Sequence, residues 1–381
     1  FSKINSPTEY SLMAEKIKKK FFNKSKQKNI VILSSYTSEI LKDYLLVELA
    51  KRSLNCKLTF LPFNQLEQEI FNEKSKIYNK KTDMILLLFL IEDFVNLKKV
   101  NSKQLMSKAT KLIRTIRQKS SAKIFISNFF ERHEHSCGDL YFNNYNDTIT
   151  ILNFNKLFLK FIKTMNDVFL LDFRSLIFDF GIKNIFEKKL EYIAKVPFSS
   201  SGQVSISNLI ARCIATSYKP SSKCLVLDAD NTLWGGVVGE LGKDNIQLSE
   251  AYPGNTFKDF QRYILKLYKR GIILALASKN NFEDVKEVFL KNDDSLLKLK
   301  HFSSIQVNWD EKFINLQKIS TELNIGLDSL VFFDDSPFER ELIKNKLPSV
   351  NIIDVPNDSS KYIQVLEDSE YFDTYSISSE D

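Results

Sequence analysis

The sequence predicts an α/β protein made of two doubly wound, parallel-sheet domains of the Rossmann-like type. With 381 residues, the chain is longer than the roughly 100 to 200 residues of an ordinary domain. Strand-like apolar runs alternate with helix-like patterns in two successive series, which is typical of a parallel sheet covered by helices. A polar segment with a proline, residues 218–222, separates the two series. We therefore place the domains at residues 1–220 and 221–381.

Composition excludes several classes of protein. Hydrophobic residues make up 43% of the sequence and charged residues 27%, a balance typical of a folded protein rather than a disordered one. The longest uncharged apolar run, residues 84–91, is much shorter than the roughly 20 residues of a membrane-spanning helix. The N-terminal residues contain no apolar signal region, so we expect a cytoplasmic protein without a membrane partner.

The charge pattern and the cysteines argue against a nucleic-acid partner, a zinc site and a disulfide framework. The formal net charge is +7, but lysines are interspersed with acidic residues and no aromatic-basic recognition pattern occurs, so we expect no nucleic-acid partner. The one dense basic run, residues 16–28, is interpreted as a solvated helix face. Cys56, Cys137, Cys213 and Cys224 are scattered and form no CxxC pair, which argues against zinc and against a disulfide framework.

Apolar runs predict nine strands, five in the first half and four in the second. They are residues 29–33, 57–61, 83–90, 123–127 and 168–172, followed by 224–228, 272–277, 330–333 and 350–355. Between the strands of the second half, the helix signals are clear.

Two helices of the second half have recognisable ends. Thr256 and Asp259 resemble a capping box, and Gly271 is a typical stop, so these residues predict a helix between them. Ser336, the proline after it and Glu339 predict a second helix start, with a reciprocal box between Ser336 and Glu339. That second helix would begin directly after an Asp-Asp pair.

Polar or charged side chains follow apolar strands or begin helices at four places in the second half. Because the carboxyl ends of parallel strands meet at one edge of a sheet, these groups are expected to converge there. They are Asp228 with Asp230, the run Ser278-Lys279-Asn280, Lys312, and Asp334 with Asp335.

The paired carboxylates suggest a divalent cation. Two carboxylates spaced as in Asp228 and Asp230 can share a hard cation, most simply Mg²⁺. Asp334 and Asp335 repel each other at a buried strand end unless a counter-charge offsets them. Taken alone, a DxD is also compatible with a polar loop containing an Asx turn, and the Asp-Asp pair with helix capping.

In this order, the DxDxT, Ser, Lys and DD elements resemble the four motifs of the haloacid dehalogenase (HAD) superfamily. The stretches LDADNTLWGGVVGE from residue 227, ASKN from 277 and FFDDSPFER from 332 resemble its FkbH-like branch, the subfamily IIIC phosphatases. The resemblance covers about residues 224–356. It implies a HAD-like second domain, without a large cap, that is a magnesium-dependent phosphatase or phosphotransferase.

The resemblance also implies a role for each site residue. Asp228 is the nucleophile that forms an aspartyl-phosphate, Asp230 is the general acid and then the base, Ser278 binds the phosphoryl group and Lys312 neutralises its charge. Mg²⁺ is held by Asp228, the backbone carbonyl of Asp230 and Asp335, with Asp334 beside it. The expected substrate contacts are Thr232, Trp234, Gly235, Lys279, Asn280 and Arg340.

Two further expectations come from the same resemblance. The substrate is a phosphorylated small molecule, and some FkbH-like proteins load a glyceryl unit from such a donor onto an acyl carrier protein, which is thus a candidate partner. Relatives also tend to continue beyond the position of Asp381, so we expect a fragment of a longer protein.

The first domain resembles, more loosely, the SGNH-hydrolase-like domain that precedes FkbH-like modules. Residues 32–37 lie where that fold places its nucleophilic serine, and residues 192–199 resemble the usual lead-in to the phosphatase domain. The base is expected near Ser199, but neither His133 nor His135 lies near it. We therefore expect a non-catalytic domain, with Ser34 or Ser35 as a structural cap.

Two non-enzymatic alternatives remain open. A phospho-accepting receiver module also combines an acid cluster, a hydroxyl residue and a lysine, although receivers place their paired acids first and here the DxDxT comes first. A scaffold in a biosynthetic complex would bind no metal and turn over no phosphate ester.

Overall fold

The computed structural model describes residues 6–21, 27–91, 101–130 and 146–375. It divides into two compact units, Phe1–Tyr218 and Lys219–Asp381. His133, His135 and Cys137 lie outside the described residues, as does the middle of the basic run. The described part of each unit contains one five-stranded sheet whose strands are all parallel. The prediction of an α/β protein with two parallel sheets is confirmed.

The first sheet has the strand order β2-β1-β3-β4-β5. Its strands are apolar on both faces, which is expected because helices cover both sides of a parallel sheet. Val31, Ile85 and Ile124 face one core, and Ile30, Met84 and Phe125 face the other. The strands are β1 (Lys28–Ser34), β2 (Cys56–Phe60), β3 (Met84–Leu88), β4 (Lys123–Ser127) and β5 (Val168–Leu171).

Nine α-helices lie in the described part of the first unit. One core contains residues of α3, α4 and α5, and the opposite core contains residues of α2, α6, α7 and α9. The helices are α1 (Pro7–Phe21), α2 (Lys42–Lys51), α3 (Leu66–Phe71), α4 (Ser102–Lys119), α5 (Asn146–Ile162), α6 (Phe173–Phe180), α7 (Ile182–Ile185), α8 (Lys188–Ala194) and α9 (Ser200–Thr216).

The second sheet has the order β10-β9-β6-β7-β8, so β6 lies at its centre. Leu225 and Leu227 pack into one core while Cys224 and Val226 pack into the other, as the period of two in a strand requires. The strands are β6 (Cys224–Leu227), β7 (Ile273–Ser278), β8 (Phe302–Val307), β9 (Leu330–Phe333) and β10 (Asn351–Ile352).

Six α-helices lie in the described part of the second unit. Residues of α11, α12 and α15 pack on one face of the sheet, and residues of α13 and α14 pack on the other. The helices are α10 (Val238–Leu241), α11 (Gly254–Lys269), α12 (Phe282–Lys291), α13 (Lys312–Glu322), α14 (Pro337–Lys346) and α15 (Tyr362–Asp368). In the part of the chain that the structure describes, no helix is both long and apolar enough to span a membrane.

The expected capping boxes are wrong in detail. Helix α11 begins at Gly254, so Thr256 lies inside its first turn, where its hydroxyl donates to the carbonyl of Pro253 at 2.7 Å. Ser336 does cap α14, because its Oγ accepts a hydrogen bond from the Glu339 N–H at 3.4 Å. The Glu339 carboxylate does not complete the box, since it pairs with Lys279 at 3.0 Å.

The prediction missed one strand, β8, and made two strands too long, at residues 83–90 and 350–355. Strand β8 pairs only with β7 in the described sheet, and such an edge position tolerates polar residues such as Ser303 and Gln306. Because polar and apolar residues are mixed in this strand, it does not contain the continuous apolar run on which the prediction depends. Of the predicted strand at residues 350–355, only Asn351 and Ile352 pair with β9.

Candidate active site

Three carboxylates meet at the carboxyl edge of the second sheet. Asp228 directly follows β6, and Asp334 and Asp335 directly follow β9. Because β6 and β9 are parallel neighbours with Leu227 opposite Phe333, their ends lie side by side. One oxygen from each carboxylate lies within 4.8 Å of the others. We call these three residues the acid cluster.

Lys312 connects two members of the acid cluster. Its Nζ lies 3.0 Å from Asp228 Oδ1 and donates a hydrogen bond of 2.5 Å to Asp334 Oδ2. The lysine is the first residue of α13, and its side chain is only 4% exposed. Burial acts to lower the pKa of Lys312, but the charges of the two aspartates outweigh it and raise that pKa. The two aspartates therefore favour the charged ammonium form of this buried side chain.

The charged forms of Asp334 and Asp335 are destabilised. Burial, and then the charge of Asp228, raise the pKa of Asp335 to about 6. The same two causes raise the pKa of Asp334, although its contact with Lys312 opposes them. Three carboxylates around one ammonium group leave an excess of negative charge, so the cluster favours an additional cation.

The acid cluster fits a magnesium ion. Asp228 Oδ1 is buried and accepts no hydrogen bond within the described residues, although it lies beside the lysine charge. Both oxygens of Asp334 are engaged, one by Lys312 and the other by the Ser336 N–H at 2.9 Å. Asp228 and Asp335 therefore offer carboxylate oxygens to a hard cation, and Asp334 acts chiefly as the partner of Lys312.

Asp230 lies beside the acid cluster but faces a different set of groups. Its Oδ1 accepts hydrogen bonds from Trp234 Nε1 at 2.8 Å and from the Val238 N–H at 3.1 Å. Its Oδ2 accepts one from Asn280 Nδ2 at 3.0 Å. Burial raises the pKa of Asp230, although these hydrogen bonds oppose the shift. Oδ2 keeps a second lone pair that can take up a proton.

Strand β7 delivers the predicted serine to the same edge. Ser278 ends the strand and is buried, and its Oγ accepts a hydrogen bond of 3.0 Å from Asn280 Nδ2. Asn280 thus contacts both Ser278 and Asp230. Lys279 points elsewhere, since its Nζ lies 3.0 Å from Glu339 and 3.2 Å from Glu311. The structure therefore places Asn280 in the site and Lys279 in an ion-pair network beside it.

The loop after Asp230 is held in a fixed conformation. Asn231 has a φ of 52°, and its side-chain oxygen accepts a hydrogen bond from the Gly236 N–H at 2.8 Å. A Cβ atom on Gly235 would lie 2.9 Å from Gln247 Cβ and 2.9 Å from a ring carbon of Phe257, so glycine is needed there for close packing. The Tyr362 hydroxyl donates to the Asn231 carbonyl at 2.8 Å. Tyr362, far away in sequence, has no local signal that could have linked it to the site.

Two expected substrate contacts, Trp234 and Arg340, have other partners in the structure. Trp234 and Thr232 are fully buried, and the Thr232 hydroxyl has no hydrogen-bond partner among the described residues. Trp234 packs against Phe289 and donates its N–H to Asp230. Arg340 donates to the backbone carbonyls of Asp334 and Asp335 at 2.8 and 2.7 Å, and so positions the turn that carries these acids.

The two candidate serines of the first unit, Ser34 and Ser35, form hydrogen bonds with backbone groups. Ser34 Oγ donates to the carbonyl of Tyr36 at 2.8 Å and accepts from its N–H at 3.1 Å, which makes it a local turn bond. Ser35 Oγ accepts a hydrogen bond from the Leu90 N–H at 3.0 Å. Both serines thus cap backbone at the carboxyl end of the first sheet.

Comparisons place the chain among known proteins. The family model for the FkbH N-terminal domain matches residues 29–210. A crystal structure of the N-terminal part of the protein BF1531 from Bacteroides fragilis, containing a phosphatase domain and complexed with Mg, is similar to the whole chain. The two are 26% identical, the match covers 98% of this chain and 100% of that one, and the TM-score is 0.82.

A member of the lipolytic G-D-S-L family from Veillonella parvula matches 48% of this chain and 96% of its own. It is 13% identical to this chain, and the TM-score is 0.34. A sequence search of curated proteins finds no match.

Proposed function

We propose that the chain is a magnesium-dependent phosphatase or phosphotransferase of the HAD type that works through an aspartyl-phosphate on Asp228. The observation that carries this proposal is the buried Lys312 bridging Asp228 and Asp334 inside the acid cluster. A cation and a lysine on one side of a carboxylate create a pocket for a phosphoryl group, whose charge they offset. The resemblance to a Mg-complexed phosphatase-domain protein over the whole chain supports the same conclusion.

The residues divide the proposed reaction into two displacements. An oxygen of Asp228 attacks phosphorus, and the bond from phosphorus to the leaving oxygen breaks. Asp230 gives its proton to that leaving oxygen, and its raised pKa is consistent with holding one. Asp230 then takes a proton from water, which attacks the phosphoryl group, and the bond from phosphorus to Asp228 breaks to release phosphate. Bound Mg²⁺ would offset charge on the phosphoryl oxygens throughout.

Hydrolysis of a generic aryl phosphate tests this proposal. The purified chain is expected to release the phenolate with added Mg²⁺ and to stop when a chelator removes the metal. Absence of turnover at every metal concentration would favour the scaffold alternative. A stable phosphorylated Asp228, detected by mass spectrometry without turnover, would instead favour a phospho-accepting module.

Mg²⁺ should also stabilise the fold, because it offsets the repulsion within the acid cluster. A ligand at about 100 times its Kd adds about 2.7 kcal/mol of stability, which should raise the melting temperature by several degrees. The Asp335→Asn variant is expected to lose most of this shift. The control is Asp310→Asn, which removes a half-exposed carboxylate paired with Lys318 outside the cluster. An equal shift in both variants would place the metal elsewhere.

The acceptor in the second displacement is a separate part of the proposal. Residues 229–253, between the nucleophile strand and α11, contain only the short helix α10 and no cap domain. A site without a cap can admit a bulky acceptor, so we keep an acyl carrier protein beside water as a candidate. Incubation with bisphosphoglycerate and candidate carriers, followed by mass spectrometry of the carrier, distinguishes transfer from hydrolysis.

We further propose that the first unit is non-hydrolytic.

A further inference from the structure

The two units of the chain carry opposite excesses of charge. The first unit, Phe1–Tyr218, contains 35 Lys and Arg residues and 20 Asp and Glu residues, whereas the second, Lys219–Asp381, contains 19 and 27. The formal net charge of +7 therefore combines a strongly basic first unit with an acidic second unit. A strongly basic unit attracts acidic partners, most effectively where its cations are exposed and lack carboxylate neighbours.

Helix α4 presents such cations. It contains six basic residues and no acidic residue. Two of its lysines pair with glutamates in or just after α3. Lys111 and Arg114 are exposed and form no ion pair with a described residue. Their charged groups lie over aromatic rings instead, 5.4 Å from the ring centre of Phe71 and 5.7 Å from that of Phe161. Both cations therefore remain available to a partner.

Helix α5 packs against α4 and adds three cations to this surface. Lys156, Lys160 and Lys163 are exposed and form no ion pair with a described residue. Lys156 and Lys160 follow the buried Phe154 and Phe158 by two residues. Two residues correspond to about 200° around a helix, so these lysines point directly away from the core.

Three half-exposed leucines lie beside these lysines on α5. Leu152 and Leu159 are 41% exposed, and Leu157 is 40% exposed. We call the five cations above and these three leucines the basic face. At about 100° per residue, Leu157 and Leu159 lie on either side of the row that Lys156 and Lys160 form. The centre of the basic face is therefore cationic, and its edges are apolar.

This arrangement favours a protein partner over other polyanions. A nucleic acid would pair its phosphates with the cations but has no aliphatic side chains to cover the leucines. A helix that enters a bilayer surface has apolar residues at the centre of its inserted side and cations around them. The basic face has the reverse order. An acidic protein surface with apolar side chains beside its carboxylates matches both the cations and the leucines.

We propose that the basic face docks an acidic protein through an amphipathic helix. Acidic side chains of that helix pair with the cations, and its apolar side chains cover the leucines, as in other complexes in which a helix lies in a groove. The inference goes beyond the proposed function and does not depend on the chemistry at Asp228. Binding of an anionic membrane or of a nucleic acid to the basic face instead would overturn it.

A labelled synthetic helix serves as the probe. It carries glutamate and leucine at positions three and four residues apart, and a control peptide has glutamine in place of every glutamate. Fluorescence anisotropy with the full chain at low ionic strength is expected to give an affinity for the acidic peptide at least about tenfold above that for the control. Added salt should reduce this difference, because salt screens exposed charges. Equal affinities for the two peptides would contradict the inference.

Charge reversal locates the binding surface. Lys111→Glu/Lys156→Glu is expected to weaken binding of the acidic peptide by about tenfold or more. Lys42→Glu/Lys183→Glu makes the same charge change at exposed positions on α2 and α7, which pack on the opposite face of the first sheet. This control should change the affinity by less than about twofold. If both double variants lose affinity equally, net charge rather than the basic face attracts the peptide and the inference is wrong.

Two milder variants test the same surface if circular dichroism shows that Lys111→Glu/Lys156→Glu does not fold. Lys156→Gln removes one exposed charge, and Leu159→Asn removes an exposed apolar group without changing the charge. Each is expected to weaken binding of the acidic peptide by about threefold. Unchanged affinity in both variants would show that the peptide binds elsewhere.

Competition identifies the class of partner. Phosphatidylglycerol vesicles and a single-stranded oligonucleotide are each added to the complex of the chain and the acidic peptide, at a concentration of negative charge equal to that of the peptide. The peptide is expected to stay bound, because neither competitor satisfies both the cations and the leucines. Displacement by either competitor would assign the basic face to a membrane or to a nucleic acid.

Discussion

Asp228→Asn is expected to lower aryl phosphate hydrolysis by a factor of about 10³ or more, because the amide cannot form the aspartyl-phosphate. The change keeps the size of the side chain and removes one of three like charges from the acid cluster. Since the charge of Asp228 raises the pKa of Asp334 and Asp335, the metal-free variant should melt at the same temperature as the wild type or higher. Loss of activity with an intact fold would then point to the nucleophile.

The measurement is steady-state hydrolysis with saturating Mg²⁺, accompanied by circular dichroism. Asp310→Asn serves as the control, since this aspartate is half-exposed and pairs with Lys318 outside the cluster. It should keep nearly full activity. Full activity in Asp228→Asn would show that another residue attacks phosphorus.

Lys312→Met is expected to reduce both stability and activity. Removing one partner of a buried ion pair leaves the other charges uncompensated, which destabilises proteins by about 3 kcal/mol or more. Methionine keeps most of the side-chain volume, so the loss reports the charge rather than a cavity. Without the lysine to offset phosphoryl charge, kcat should also fall by about 10².

Urea denaturation in the presence of a chelator measures the stability change. The two tryptophans of the chain, Trp234 and Trp309, both lie in the second unit, so their fluorescence follows that unit. Lys318→Met, on the same helix, removes an exposed pair with Asp310 and should change stability by less than about 1 kcal/mol. Equal effects of the two substitutions would contradict the assigned role of Lys312.

The destabilisation caused by Lys312→Met should depend on pH in a defined direction. Burial and the charge of Asp228 already raise the folded-state pKa of Asp334, and loss of the opposing ammonium group raises that pKa further above the unfolded value. The folded state then binds more protons than the unfolded state, so stability falls as the pH rises through that range. The difference between the variant and the wild type should therefore shrink as the pH is lowered. Bound Mg²⁺ should also reduce the stability difference between the variant and the wild type.

Much of the fold could be predicted because its signals are local. Strands β4 and β9 were predicted with their observed ends, since each is a short apolar run bounded by polar residues. Edge strand β8 was not, because an edge position in the described sheet does not require continuous apolar sequence. The predicted start of α11 was wrong, because Thr256 does not cap the helix. Its hydroxyl instead forms a hydrogen bond with that of Ser359, about a hundred residues later. No local pattern contains that contact.

The sequence by itself determined which residue types stand at strand ends in the second half, and hence the candidate nucleophile, serine, lysine and acid pair. It did so because apolar periodicity and helix caps depend on neighbours a few residues apart. Only the tertiary structure decided which partner each of these side chains contacts. Lys312 donates to Asp334, Trp234 donates to Asp230, and Arg340 donates to the backbone carbonyl of Asp335. Local sequence does not predict these contacts, because each depends on how the chain packs in three dimensions.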